Sequence, residues 1–192
     1  MSPRKHVDRQ RVLDVSIALA DANGLEAVTL ASVAEQLGIR IPSLYNHISG
    51  LPGLRYDMAL WGVRQLSEQL RRAAVGKAGD AAIISVAHAY RAFAHAHPGI
   101  YSLTLRAATP DEPDLAAAGQ EVLDVVLAVL AHYGFGTEDT LHVVRGLRSL
   151  LHGFVDLETR GGFGMALDRD ESYRQLVDVL IQGLHARQGR GN

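Results

Sequence analysis

Cysteine is absent from the 192-residue chain. That excludes a disulfide framework and any thiolate metal site, and it suits a reducing compartment. An excess of one charge is missing too. Nineteen Lys and Arg against 21 Asp and Glu leave a formal net charge of −2, so no global basic field draws the chain to nucleic acid or to an anionic membrane. The N-terminal residues Met1 to Arg11 contain no apolar run of the kind a secretory signal needs. The longest apolar stretch of the second half, Val122 to Tyr133, is interrupted by Asp124 and is too short to cross a bilayer. The expectation is a cytoplasmic chain with no membrane partner. Alternating strand patterns do not persist anywhere, and no internal repeat is present.

What is present is helical periodicity and local basic charge. Arg4, Lys5, Arg9 and Arg11 against Asp8 give the first eleven residues a net charge of +3. Helices are predicted over Asp8–Asn23, from Thr29 to Gly38, over Pro42–Ile48, Leu54–Val75, Asp80–His97, Ile100–Ala107 and Asp114–Tyr133, from Thr137 to Arg160, and over Asp170–Ala186. The tail Arg187–Asn192 is expected to be disordered. The fold class is all-α: a three-helix N-terminal module over residues 1–54, joined by a long helix to a helical-bundle body over residues 55–192.

The most informative stretch lies between Thr29 and Ile48. Leu30, Val33, Ala34 and Leu37 recur at i, i+3, i+4 and i+7, which makes one apolar helix face. Gly38 follows, where a left-handed residue ends a helix without a Cβ penalty. Pro42 opens the next helix, where its missing N–H costs nothing. Leu44 and Ile48 point inward and leave Ser43, Tyr45, Asn46 and His47 outward. A short helix showing those side chains to solvent, braced by a second helix across it, suits contact with the DNA major groove.

These residues resemble the TetR family of bacterial transcriptional repressors. The likeness runs from about Arg9 to Leu60, through Val12-Leu13-Asp14, Gly24, Thr29, Val33-Ala34, Leu37-Gly38 and Ser43-Leu44-Tyr45-Asn46-His47. Further on, Ala96-His97-Pro98-Gly99-Ile100-Tyr101 and His152-Gly153-Phe154-Val155-Asp156-Leu157-Glu158 are similar to a subgroup with a Trp/His-Gly signature. The resemblance implies a ligand-responsive regulator, most simply a repressor that a small, largely apolar effector releases from a palindromic double-stranded DNA operator. It also implies a homodimer whose last two helices form a four-helix bundle with the partner's.

The DNA contacts so implied are Tyr45 and His47, with Thr29, Arg40, Ile41, Pro42, Ser43 and Asn46 around them and Arg4 and Lys5 as an N-terminal arm. The basic residue that usually grips phosphate at the start of helix 4 is replaced by Leu51-Pro52-Gly53, and Arg55, one turn later, is its expected substitute. Trp61, Tyr90, Phe93, Tyr101 and Leu105 are expected to line an effector pocket, oriented by His88, Arg91, Arg106 and His152. Leu147, Leu150, Leu151, Leu176, Val177 and Leu180 are expected at the dimer interface. An effector would tilt helix 4 and change the separation of the recognition helices, and a coupling of ~1–3 kcal/mol would suffice.

Two rival readings have different supports. A helical protein-interaction scaffold with a vestigial helix-turn-helix would explain the missing helix-4 cation. A helical enzyme would explain the nine histidines, but although His88 and His95, seven apart, share a helix face, none of the nine has the i, i+4 spacing of a ligand pair, and no nucleophile aligns with a base. No catalytic residue, metal site or cofactor is expected.

Overall fold

The computed structural model describes residues 7–188. Among these residues the chain forms nine α-helices and no strand. They divide into two compact units, one running to Arg64 and taking in Ala96–Ala116, the other made of Gln65–His95 and the residues from Ala117 onward. The long helix α4 therefore begins in one unit and ends in the other.

In the first unit, α1 (Arg9–Asn23) starts where the Asp8 carboxylate accepts the Arg11 backbone N–H at 2.7 Å, and it stops at Gly24 with φ of 84°. A 3-10 turn over Leu25–Ala27 leads to α2 (Leu30–Leu37). Thr29 and Ser32 form a reciprocal capping box at its start, satisfying two backbone donors that the first turn would otherwise leave open. α3 (Ile41–Leu44) is shorter than the expected Pro42–Ile48. Beyond Leu44 the bonds tighten: Asn46 and His47 donate three residues back, to Ser43 and Leu44 at 3.4 and 2.8 Å, so the last turn leaves α geometry.

α4 (Gly50–Ala74) begins earlier than the expected Leu54. Gly50, its first residue, supplies a positive φ of 70°, and Pro52 lies in the first turn, where proline is tolerated. α6 (Pro98–Tyr101) and the 3-10 turn Ser102–Thr104 replace the expected helix Ile100–Ala107. Pro98 starts it two residues sooner, and the Thr104 hydroxyl bonds back to the Tyr101 carbonyl at 2.8 Å, a competing bond that discourages continuation. Val12, Ala20, Val28, Val33, Leu44, Leu54, Met58 and Ile100 are fully buried and form the core of this unit.

α6 is wedged between α1 and α4. A Cβ on Gly99 would lie 2.0 Å from the Ala20 carbonyl oxygen, and one on Gly62 would lie 2.5 Å from Ile100 Cγ2. The Asp21 carboxylate of α1 accepts the Gly99 and Ile100 backbone N–H groups at 3.2 and 3.4 Å and pairs with His97 Nδ1 at 2.7 Å. An aspartate on one helix thus caps the start of another.

The second unit holds α5 (Gly79–Ala96), most of α7 (Pro113–Leu130), α8 (Thr137–Thr159) and α9 (Arg169–Gln188). Its core includes Ile83, Phe93, Leu130, Tyr133, Val155 and Tyr173. The fully buried Tyr173 donates its hydroxyl to the Ala87 carbonyl at 2.6 Å, and burial pushes its pKa up. α9 continues through Gln188, two residues beyond the expected end at Ala186. Arg187 is held there by Asp139 at 2.7 Å and lies over the Phe135 ring. Residues 189–192 of the expected disordered tail lie outside the described residues.

One expectation about α7 needs correction. With the 3-10 turn Ala131–Tyr133, the segment Pro113–Tyr133 is 21 residues long and contains an 18-residue window of mean hydropathy 1.5, long and apolar enough to cross a membrane by length and composition alone. The shorter reading began at Val122 and missed the upstream turns through Leu115-Ala-Ala-Ala-Gly119. The helix carries Asp114, Glu121 and Asp124, which hydrocarbon would not accept cheaply. Glu121 is partnered, by Ser67 and by Arg71 at 3.5 Å each.

Candidate nucleic-acid interface

The turn between α2 and α3 is built from the backbone. Gly38 adopts φ of 66°, and the Ile39 N–H reaches back to the Ala34 carbonyl at 3.0 Å, closing α2 in the six-residue bond pattern of a glycine-terminated helix. Arg40 is extended, and Pro42 is in the first turn of α3. Leu44 and Ile48 are buried, and they anchor this short segment to the core. The alternation leaves Ile41 40% and Tyr45 59% exposed, with Arg40, Pro42 and Asn46 exposed and Ser43 and His47 half-buried. Seven of the sequence-predicted contacts therefore share one surface segment. Thr29 is also exposed, but its hydroxyl is engaged in the α2 cap. Arg4 and Lys5 lie outside the described residues.

A cavity of about 340 Å³ adjoins this segment, lined by Arg9, Tyr45–Ser49, Gly53, Tyr56 and Asp57. Arg9 and Asp57 were not anticipated. They stand 48 residues apart, so no local spacing announces them. Arg9 Nε and Nη2 donate to the two Asp57 oxygens at 3.1 and 2.6 Å. The Asp57 side chain is 10% exposed while that of Arg9 is 69% exposed, and the Asp57 hydrogen bond raises the Arg9 pKa further. Arg55, the expected substitute for the helix-4 cation, does not line this cavity. Its guanidinium end lies 3.8 Å from Glu26, and its Nε is buried without a hydrogen-bond partner.

Residues 83–180 match the model of a tetracyclin repressor-like C-terminal domain. The chain is 34% identical over 185 residues to YobS, an HTH-type transcriptional regulator of Bacillus subtilis, covering 96% of each protein. The chain belongs to the TetR family of helix-turn-helix transcriptional regulators. It is a regulator and not an enzyme. A protein of Rhodococcus sp. RHA1 shares the fold with a TM-score of 0.80 at 21% identity, over 95% of this chain and 98% of that one. TetR-Q116A of Acinetobacter baumannii, solved in complex with minocycline, shares it with a TM-score of 0.71 at 19% identity, over 95% and 99% of the two chains.

The residues expected to bind an effector in this TetR-family chain fall in both units. In the first, Tyr101 is buried, Leu105 is half-buried, and Trp61 meets the His97 ring edge-on at 5.0 Å. Arg106 is forked onto Glu112 at 2.6 Å, and this bond, with the Thr109 N–H, lowers the Glu112 pKa to about 2. In the second, Tyr90 and Phe93 are buried, and His152 is half-buried. His88 stands edge-on to Tyr173.

Arg91 is committed to an internal pair. Its Nε and Nη2 bond Glu158 at 2.8 and 2.5 Å, and Nη2 also meets Asp170 at 2.8 Å. The guanidinium lies over the Tyr173 and Phe154 rings, 4.9 and 5.7 Å from their centroids. Glu158, with a side chain 4% exposed, also accepts His95 at 2.8 Å. The Arg91 bond holds the Glu158 carboxyl below its usual pKa, against the opposing effect of burial. Among the described residues, no group of three or more His, Asp or Glu is placed to hold a metal ion.

The six expected interface residues split in two. Leu147, Leu151 and Val177 are buried within the chain itself, so they are unavailable to a partner. Leu150, Leu176 and Leu180 are half-buried. On the same two helices Leu157 and Val179 are 50% and 64% exposed.

Proposed function

We propose that this TetR-family chain is a cytoplasmic repressor that binds a palindromic operator as a homodimer and is released by a small, largely apolar effector. The observation that carries the DNA-binding part is the exposed surface of Ile41, Tyr45 and Asn46, held on a short segment by the buried Leu44 and Ile48. Tyr45 and Asn46 offer hydrogen bonds to base edges and phosphates, and Ile41 offers an apolar contact for a thymine methyl. Leu150, Leu157, Leu176, Val179 and Leu180 supply the surface proposed for α8–α9 pairing between protomers. Two-fold pairing would place two recognition segments on half-sites about 10 bp apart or a multiple of it.

The effector part draws on composition: helical-bundle pockets are mostly apolar, with a few polar groups for orientation. The minocycline complex of a protein with the same fold supports a small-molecule site, not its polarity. Effector and operator then favour different states of one dimer, which couples their affinities reciprocally. The experiment is a gel shift of the full-length protein against the DNA flanking its own gene, repeated with a panel of apolar and aromatic compounds. A retarded band that a compound abolishes is the expected result. Failure to bind any duplex, there or in a genomic fragment pool, would refute the proposal.

A further inference from the structure

We propose that Arg9 grips a DNA backbone phosphate and that Asp57 is the positioning residue that aims it. This rests on the DNA-binding reading above and adds a contact outside the recognition segment. Three observations carry it. Arg9 lines the same cavity as Tyr45 and His47, and its side chain is 69% exposed. The pairing with Asp57 is side-on, through Nε and Nη2 at 3.1 and 2.6 Å. The carboxylate beneath it is 10% exposed and has both oxygens engaged.

A guanidinium has five N–H donors in one rigid plane. Two of the Arg9 donors are fixed on Asp57, so the plane is set and the end-on edge, one Nη1 donor beside the second Nη2 donor, turns away from the carboxylate. That edge matches the pair of non-bridging oxygens of a tetrahedral phosphate, which arginine grips bidentately as it does a carboxylate. The Asp57 side chain is 10% exposed and both its oxygens bond Arg9, so the guanidinium stands between it and the solvent side of the pair. Arg55, two residues before Asp57 on α4, faces Glu26 instead.

The arrangement accounts for the absent cation at the start of α4. Leu51-Pro52-Gly53 offers no charge there, and Arg9 enters the same cavity from the start of α1. Asp57, on the second turn of α4, holds it in place. The clamp is sequence-independent and sets register; it does not read bases.

The test uses full-length protein and duplexes that the wild type selects from a random-sequence pool. Affinity is measured by fluorescence anisotropy between about 50 and 200 mM KCl, the range over which phosphate contacts are most visible. Arg9→Gln is expected to weaken binding about tenfold or more and to flatten the plot of log K against log salt by about 0.9 for each protomer engaged. Arg9→Lys is expected to keep the slope and lose affinity, because a point charge replaces the fork.

Asp57→Asn discriminates. Removing a carboxylate near DNA should strengthen binding to every duplex if the effect is charge alone. If Asp57 aims Arg9, binding to the selected duplex weakens severalfold despite the gain in positive charge, and the substitution has no further effect in the Arg9→Gln background. Unchanged affinity and slope in Arg9→Gln with a wild-type melting curve would overturn the phosphate contact. A uniform rise in Asp57→Asn would overturn the positioning role. A wild type that selects no duplex would instead refute the DNA-binding reading itself.

Discussion

Replacing Arg91 with leucine should cost more stability than replacing its partner Glu158 with glutamine, and the cost should shrink in acid. Glu158 is 4% exposed and takes its hydrogen bonds from Arg91 and His95. Loss of Arg91 takes from that buried carboxylate its full-time cation and two of its hydrogen bonds, leaving it the His95 ring at 2.8 Å. Breaking a buried pair from one side costs about 3–5 kcal/mol, and at roughly 2–4 °C per kcal/mol for a chain of this size the melting point should fall by roughly 6–20 °C.

Glu158→Gln is milder because Arg91 keeps Asp170 at 2.8 Å, on the exposed side of the pair. The cost there is that of an imperfectly satisfied buried group, about 1–3 kcal/mol. In the wild type the folded Glu158 pKa is depressed, chiefly by Arg91. Its contribution is therefore complete above the unfolded value of about 4.3 and is lost as pH falls through the folded value. In Arg91→Leu, burial is no longer opposed by that bond, so the folded pKa moves up. The variant then loses stability as pH rises above about 4.3. The gap between the two proteins should be widest near pH 7 and narrow towards pH 4. Urea unfolding at fixed protein concentration across that range measures it. A gap that widens on acidification, or a Glu158→Gln variant less stable than Arg91→Leu at pH 7, would refute the reasoning.

Tyr45→Ala should weaken binding to the selected duplex by about tenfold or more while the melting point changes little, since that side chain is 59% exposed; an unchanged anisotropy titration would remove Tyr45 from the interface. Gly99→Ala should lower stability by about 1–3 kcal/mol or more, because its Cβ would meet the Ala20 carbonyl oxygen at 2.0 Å and backbone must move; thermal melts that match the wild type would contradict this packing. Leu157→Glu with Val179→Glu should shift sedimentation at micromolar concentration from dimer towards monomer with helicity retained, and an unaltered sedimentation coefficient would place the protomer contact elsewhere.

Local signals were legible in the sequence and distant partnerships were not. Thr29 and Gly38 bound α2 because caps and left-handed glycines act on their own backbone. The inward positions of Leu44 and Ile48 follow from helical period. Ser49-Gly50-Leu51-Pro52-Gly53 reads equally as a loop or as a tight helix start ahead of Leu54, and the structure takes the second, since proline belongs comfortably in a first turn. Leu147, Leu151 and Val177 show a second limit. Period identifies an apolar face, but it does not say whether the same chain or a partner covers it. The Arg9–Asp57, Asp21–His97 and Arg91–Glu158 pairs span 48, 76 and 67 residues. Their members read individually as ordinary surface polar residues, and only the fold assigns each its partner.

The smallness of Gly62 and Gly99 has a mechanical consequence. Where two helices meet through leucines or methionines, side chains can hop rotamers and absorb a displacement before it passes on. On the α1 side of α6 there is little of that kind to yield, because Gly99 rests on the Ala20 peptide; on the α4 side the one side chain against Gly62 at that residue of α6 is the β-branched Ile100. The joint is stiff for want of a cushion. A displacement of the four-residue α6 (Pro98–Tyr101) therefore meets the last turn of α1 directly through backbone and the middle of α4 through one stiff side chain, on the two helices that carry Arg9 and Asp57.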